Sequence, residues 1–221
     1  MRVPQEKGYK GSKKWLQKLI NEKPEQLNRQ IIEQTGQNAT YSINWLSPKK
    51  EDDYAEYSDI DCLNLLGISL DKRPLKTFWP DRGPQWDALG KSDSGDLFFM
   101  EAKSHISELV SFTDAKGNSL DLILKSLNET KQYLNPDSRV DWANGFYQYA
   151  NRLAFLYLLR TLNEKPAYLV FVYFLNDSEV DGPSSIEEWK GALELLHTYF
   201  GLKRHKLQRY VIDAFINVEK I

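Results

Sequence analysis

The sequence predicts one α/β domain built on a mixed β-sheet with helices packed against it. Three observations carry that expectation. The segments run helix, a cluster of strands, two helices, strand, helix, strand, an order that suits a sheet layered with helices. Ala167–Leu175 (AYLVFVYFL) is apolar on both faces, as a strand covered from two sides should be. The chain has 221 residues, 41% hydrophobic and 27% charged, enough for one ordinary core. No repeat or long linker divides it, so residues 1–221 are read as a single domain.

Ser12 to Thr35 reads as helical, with Trp15, Leu16, Leu19 and Ile20 forming one apolar group and Leu27, Ile31 and Ile32 another. Pro24 separates two helices or kinks one, and Gly36 is a plausible stop. A short strand is expected over Tyr41–Leu46, ending at Pro48. The stretch Glu51–Asp61 holds six carboxylates and runs into an apolar segment, which suggests a helix over 52–66. Pro74 to Pro84 is punctuated by Pro and Gly and reads as loop.

Trp86–Leu89 and Asp96–Lys103 are strand candidates, joined through the turn signal Asp93-Ser94-Gly95. Asn118 or Ser119 can cap a helix carrying Leu120, Ile123, Leu124, Leu127 and Leu134 at helical spacing. Trp142–Asn163 is expected as a second long helix, stopped before Pro166. Ile186–Phe200 is amphipathic and ends at Gly201, and Tyr210–Val218 closes the chain as a strand.

Charge and cysteine content exclude several classes. Twenty-nine Lys and Arg against 31 Asp and Glu give a net charge of −2, which argues against a protein that coats nucleic acid but not against an enzyme that touches it locally. Cys62 is the single cysteine and there are three histidines, so intramolecular disulfides and zinc modules are out. No 18-residue run is apolar and the basic N-terminus lacks a signal-peptide pattern, so a cytoplasmic protein with no membrane partner is expected.

The chemistry centres on Glu101 and Lys103. An acidic residue two before a lysine occurs four times, at 101/103, 114/116, 129/131 and 188/190. Only Glu101/Lys103 ends an apolar strand, where the period of two puts both side chains on one face. A structural ion pair would explain it. The hairpin adds a second constraint. A three-residue loop at 93–95 with Gly95 in the left-handed position places Asp87 opposite Glu101 and Gln85 opposite Lys103, so the four share one patch. A two-residue loop at Ser94-Gly95 would throw Asp87 to the other face. Two adjacent carboxylates need a cation, and a donor set of oxygens alone suits Mg²⁺ or Mn²⁺.

Asp87 followed by Glu101-Ala102-Lys103 on adjacent strands, after an N-terminal helix, resembles the PD-(D/E)XK restriction-endonuclease-like superfamily. The run Phe78–Gly90 with Glu101-Ala102-Lys103-Ser104-His105, and the later Tyr147–Ala154, resembles a group of uncharacterised bacterial proteins of that type. The likeness spans about residues 78–175. It implies a three-layer α/β/α core and Mg²⁺-dependent phosphodiester hydrolysis, with nucleic acid, DNA foremost, as the partner. It also implies that Asp87, Glu101 and the Ala102 carbonyl hold the metal while Lys103 assists the attacking water. Asp81, which follows Pro80 and spells the motif's first letters, sits in a loop, so Asp87 is preferred. Many members add a carboxylate from the first helix. Glu33 is the best candidate, with Glu22 and Glu25 also open.

In the helix over 142–163, Asn144, Gln148, Asn151 and Arg152 form a polar stripe, and the resemblance favours Gln148 and Asn151 as groups facing substrate. His105 follows the motif by two residues, a spacing that predicts a shared face. The basic run Lys203–Arg209 could touch nucleic acid. A nuclease-like fold serving only as a binding or structural module is the rival reading, and a homodimer or a separate targeting subunit would supply recognition that a chain of this size has little room for.

Overall fold

The computed structural model describes residues 1–38 and 40–221. The elements in chain order are β1 (Arg2–Val3), α1 (Gly11–Glu22), α2 (Pro24–Thr35), β2 (Ile43–Ser47), β3 (Glu56–Tyr57), α3 (Asp59–Leu66), β4 (Ala88–Ser92), β5 (Leu97–Lys103), α4 (Gly117–Leu134), α5 (Tyr147–Tyr157), β6 (Ala167–Leu175), α6 (Ile186–Phe200) and β7 (Val211–Asn217). Five strands form one mixed sheet in the order β2-β4-β5-β6-β7, and β1 pairs with β3 as a separate ribbon. β4 runs antiparallel to both of its neighbours, β2 and β5, and β5, β6 and β7 run parallel.

Period two sorts the sheet's side chains into two cores. Phe98, Met100 and Ala102 of β5 and Val170, Val172 and Phe174 of β6 pack under α1 and α2 through Leu16, Leu19, Ile20, Leu27 and Ile31. Leu97 and Phe99 of β5 and Leu169, Phe171 and Tyr173 of β6 face the other way, toward α3, α4, α5 and α6. β6 is therefore covered on both faces between β5 and β7, and the fold is a three-layer α/β/α arrangement. No helix is long and apolar enough to cross a membrane, among the described residues.

Pro24 separates two helices rather than kinking one, occupying the first turn of α2, where its missing N–H costs nothing. Gly36 ends α2 in the left-handed conformation. Ser185 accepts the Glu188 N–H at the start of α6, and Gly201 closes that helix.

Two predicted helices need correction. The segment 52–66 is not one helix: it contains a short 3₁₀ turn, β3 and α3. Asp53 and Tyr54 have φ of 53° and 50°, which breaks any helix there. The helix expected over 142–163 begins only at Tyr147, because Gly145 has φ +81° and Ser111 forms a bridge with Phe146. Asn144 thereby leaves the helix altogether, and the segment after Tyr157 continues as a π-helical turn to Leu162. The other boundaries fall within three residues of the sequence reading: β4 runs on to Ser92 where the sequence reading ends it at Leu89, and α4 starts at Gly117 after Lys116, so Asn118 and Ser119 lie inside it and do not cap it.

The hairpin takes the three-residue loop. Ser92 donates its N–H to the Asp96 carbonyl at 2.8 Å, Gly95 donates to the Ser92 carbonyl at 3.0 Å, and Gly95 has φ +90°. Ala88 then lies opposite Met100 and Lys91 opposite Leu97. Gly90, in the middle of β4, is covered by the Trp45 ring, and a Cβ there would stand 2.8 Å from Trp45 Cε3. Gly90→Ala should destabilise the protein by about 1–3 kcal/mol through overpacking. Urea denaturation would show a lower midpoint with unchanged slope.

Candidate active site

β4 and β5 part at Asp87. Asp87 still donates its N–H to the Met100 carbonyl at 3.2 Å, but Trp86 turns its N–H to the Tyr57 carbonyl of β3 at 3.0 Å. The Ala102 N–H, which would have met β4 there, is instead accepted by Asp87 Oδ2 at 2.8 Å. A residue's N–H and C=O point to the same edge of a strand, so the Ala102 carbonyl also faces this wedge. The side chain of Asp87 replaces a ladder hydrogen bond and holds the wedge open.

Glu101 and Lys103 project together toward α5. Lys103 Nζ donates to Glu101 Oε1 and to Gln148 Oε1, each at 2.6 Å. The other oxygen of Glu101 accepts from Arg152 Nε at 2.8 Å and Nη2 at 2.5 Å. Arg152 is fixed on its remaining sides: Nη2 donates to the Gln85 carbonyl at 2.7 Å, Nη1 to Asn151 Oδ1 at 3.0 Å, and its guanidinium lies 4.6 Å from the Trp86 ring centroid. Glu101, Lys103 and Arg152 are 2%, 7% and 3% exposed.

Asp87, Glu56, Gln85, Gln148, Asn151 and Arg152 line a cleft of about 800 Å³. Its walls are the loop 79–85 and the segment 111–116. Glu101 and Lys103 sit behind Gln148 and Arg152 and do not line the cleft. Asp87 also meets α1 through a small gap bordered by Ser12, Lys13, Gln17 and Glu56.

Several expected positions need correction. Glu33 is exposed on α2, whose neighbouring Gln30 and Gln34 bond to the backbone of β7. Pro24 redirects the chain so that α2 runs along β7 at the far edge of the sheet, away from Asp87. Gln85 does not meet Lys103, because the strands have parted before it: its Nε2 donates to Glu56 Oε2 at 2.5 Å, and Gln148 takes its place on the lysine. His105 caps the short turn 106–109 through Ser107 and Glu108. Asp81 is an exposed residue of the cleft wall. Gln148, Asn151 and Ala102 do join Asp87, Glu101 and Lys103.

Sequence reading missed Glu56 as a member of the cluster and Arg152 as the partner of Glu101. Glu56 is hidden in the acidic run, which carries no strand periodicity, and it is placed by tertiary contacts: β3 pairs with β1 and bridges to Trp86, and Glu56 itself accepts from Gln85. Arg152 had a usable signal: it lies four residues after Gln148, on the same helix face.

The electrostatics are uneven. Burial alone would raise the Glu101 carboxyl, but Arg152 and then Lys103 hold it below its usual value. Asp87 is pushed well above the ordinary carboxylate range by burial and then by Glu101 and Glu56, against a smaller pull from Lys103. Glu56 is raised by burial, which outweighs the Gln85 hydrogen bond and Lys13. Glu101 is thus neutralised, whereas Asp87 and Glu56 face each other undercompensated. Among the described residues, no three His, Cys, Asp or Glu side chains converge closely enough to form a ready metal centre. Compared with protein-family models, with curated proteins and with solved structures, the chain matches none.

Two outcomes follow from these charges. A carboxyl whose folded pKa is raised gives stability that is complete below its unfolded value of about 3.9 and lost as pH rises through the folded value. Asp87→Asn keeps an oxygen for the Ala102 N–H and removes that loss. Its melting temperature should exceed the parent's by a margin that grows from pH 4 to pH 7. Arg152→Ala strands the buried Glu101 with Lys103 alone and should cost about 3–5 kcal/mol in chemical denaturation. Arg152→Lys should recover only part, because a single ammonium cannot reproduce the guanidinium's several fixed bonds.

Proposed function

We propose that the protein is a metal-dependent nuclease of the PD-(D/E)XK type, hydrolysing phosphodiester bonds of nucleic acid, with DNA as substrate. The observation that supports this most is the wedge at Asp87. It presents an undercompensated carboxylate to the cleft, holds the Ala102 N–H on one oxygen of that carboxylate, and has Glu101 and Lys103 directly behind. Oxygen donors of this kind fit a hard divalent ion. Asp87 and the Ala102 carbonyl would hold Mg²⁺ or Mn²⁺, and Glu101 would join them on releasing Arg152. Such an ion supplies Lewis acidity at a phosphoryl oxygen and lowers the pKa of a water.

The protein's own groups have distinct tasks. Gln148 fixes the Lys103 ammonium through its carbonyl oxygen, so the lysine's charge is aimed before substrate arrives. A preorganised cation beside the transferring phosphoryl group favours the transition state, where negative charge grows. Asn151 spends its oxygen on Arg152, which leaves its NH₂ group to donate to a phosphate oxygen. In this reading the protein is cytoplasmic, and a second copy or a separate targeting subunit selects the substrate.

One observation favours a second reading, in which the fold is a binding or structural module. Both oxygens of Glu101 are already held, by Lys103 and Arg152, as a closed ion-pair network would hold them.

Cleavage assays and metal calorimetry separate the two. With Mg²⁺ or Mn²⁺ the parent should cut DNA, and EDTA should abolish cutting. Asp87→Asn and Glu101→Gln should lose at least about 100-fold in rate together with metal affinity, whereas Lys103→Ala should retain metal binding and lose turnover to a similar degree. If the parent binds neither ion at millimolar concentration with nucleic acid present, the module reading replaces the nuclease.

A further inference from the structure

The cleft is shaped for an unpaired strand. Glu101 and Lys103 are buried, and only Asp87 of the three reaches the cleft wall. A phosphate must therefore descend between the loop 79–85 and the segment 111–116 to meet them. At about 800 Å³ the cleft has the size of a small-molecule pocket. A single strand can bend one phosphate into such a space, whereas a duplex carries its phosphates on a wide rigid surface.

The rim adds an independent observation. Large exposed hydrophobic side chains are few among the described residues, and three of the eight, Ile106, Val110 and Phe112, fall within the seven residues 106–112. Of these three, only Phe112 lines the cleft. Phe112 is 62% exposed on the cleft wall. Its backbone is not loose: the preceding Ser111 donates its N–H to the Gly145 carbonyl at 2.8 Å and accepts the Tyr147 N–H at 3.1 Å on its carbonyl. Its hydroxyl accepts the Gln148 N–H at 2.8 Å. Ser111 thus ties the ring to the first turn of α5, the turn that carries Gln148 to Lys103.

The lining limits how many phosphates the cleft can hold. Arg82 and Lys116 stand in the walls without an ion-pair partner among the described residues, and Glu56, Asp81, Asp87 and Asp114 stand there too. Two free cations suit a contact with one or two phosphates and not the tracking of both backbones of a helix.

We infer that the cleft takes single-stranded nucleic acid, with a base stacked on Phe112 and the adjoining phosphates met by Arg82 and Lys116. The choice of ligand rests on the nuclease reading of the same site. Stacking on an aromatic ring accepts any base and contributes substantially to binding, which gives strand selectivity without sequence selectivity.

Binding measured in EDTA by fluorescence anisotropy tests this without requiring cleavage. The probes are a labelled mixed-sequence DNA strand of about 10 nucleotides, the same sequence as RNA, and its DNA duplex. At least one single strand should bind more tightly than the duplex, with a log–log salt slope between about −1 and −2 for two phosphate contacts. Phe112→Ala should weaken that binding roughly 5- to 150-fold with an unchanged melting temperature, Phe112→Trp should restore it, and Leu195→Ala, exposed on α6, should change nothing. Equal or tighter duplex binding, no binding of either strand, or an unaffected Phe112→Ala would overturn the inference. The two readings fail separately. Phe112-dependent strand binding with no cleavage on adding Mg²⁺ would retain the inference and remove the nuclease; Mg²⁺-dependent duplex cleavage indifferent to Phe112 would do the reverse.

Discussion

A carboxylate taken out of water at the centre of a sheet is tolerable only if cations and hydrogen bonds surround it, and Glu101 has both. Lys103, from its own strand, holds one oxygen, and Arg152, from the helix above, holds the other. That ion triad fixes how α5 lies on the sheet, because Arg152 can reach Glu101 only from one rotation of the helix. The same rotation brings Gln148 onto Lys103 and buries Leu153, Phe155 and Leu156 in the core. Buried ion pairs of this kind contribute little net stability compared with apolar packing of equal volume. What they supply here is placement: the polar side of α5 has one register over β5.

The entry to α5 follows from the same requirement. Gly145 adopts a backbone conformation that other residues avoid, so the chain can turn sharply after Asn144 and start the helix at Tyr147. Ser111 then occupies the first turn, its carbonyl and hydroxyl accepting the N–H groups of Tyr147 and Gln148. Those are two of the four donors that every helix start leaves open. The segment 106–112 is thereby joined to α5, and one wall of the cleft moves with the helix that carries Gln148, Asn151 and Arg152.

How much of this was legible in the sequence depended on whether a local rule set each feature. The β4–β5 register was legible because Gly95 selects the three-residue loop, which sets Ala88 opposite Met100 and so brings Asp87 to the end of the ladder, near Glu101. β6 was legible because burial on both faces leaves an unbroken apolar run. β3 was not, since its two residues have no periodicity and are strands only through pairing with β1. Glu56 went unseen for that reason; Glu33 was favoured through the resemblance, as a carboxylate near the C-terminal end of the helical stretch, but that end belongs to α2, which lies along β7. The start of α5 was read five residues early: the run from Trp142 is amphipathic enough for helix, but the Ser111–Phe146 bridge overrides propensity there. Tertiary pairing, and not composition, decided each of these.

The parting of β4 from β5 ties the fold to its chemistry. A ladder that continued to Trp86 would have paired the Ala102 N–H and C=O with main chain and left Asp87 an ordinary buried acid. Instead β3 captures Trp86, and Asp87 stands in for the missing strand partner. The exchange satisfies the Ala102 N–H but not its carbonyl, and it brings Asp87 within the field of Glu101 and Glu56. Arg152 has no such slack: its donors are engaged by Glu101, Asn151 and the Gln85 carbonyl. The site therefore has a satisfied half, built on Glu101, and a half at Asp87 with spare negative charge and spare acceptor oxygen. In the nuclease reading proposed above, a cation would meet Asp87 first, and the strength with which Arg152 holds Glu101 would set whether the second carboxylate follows.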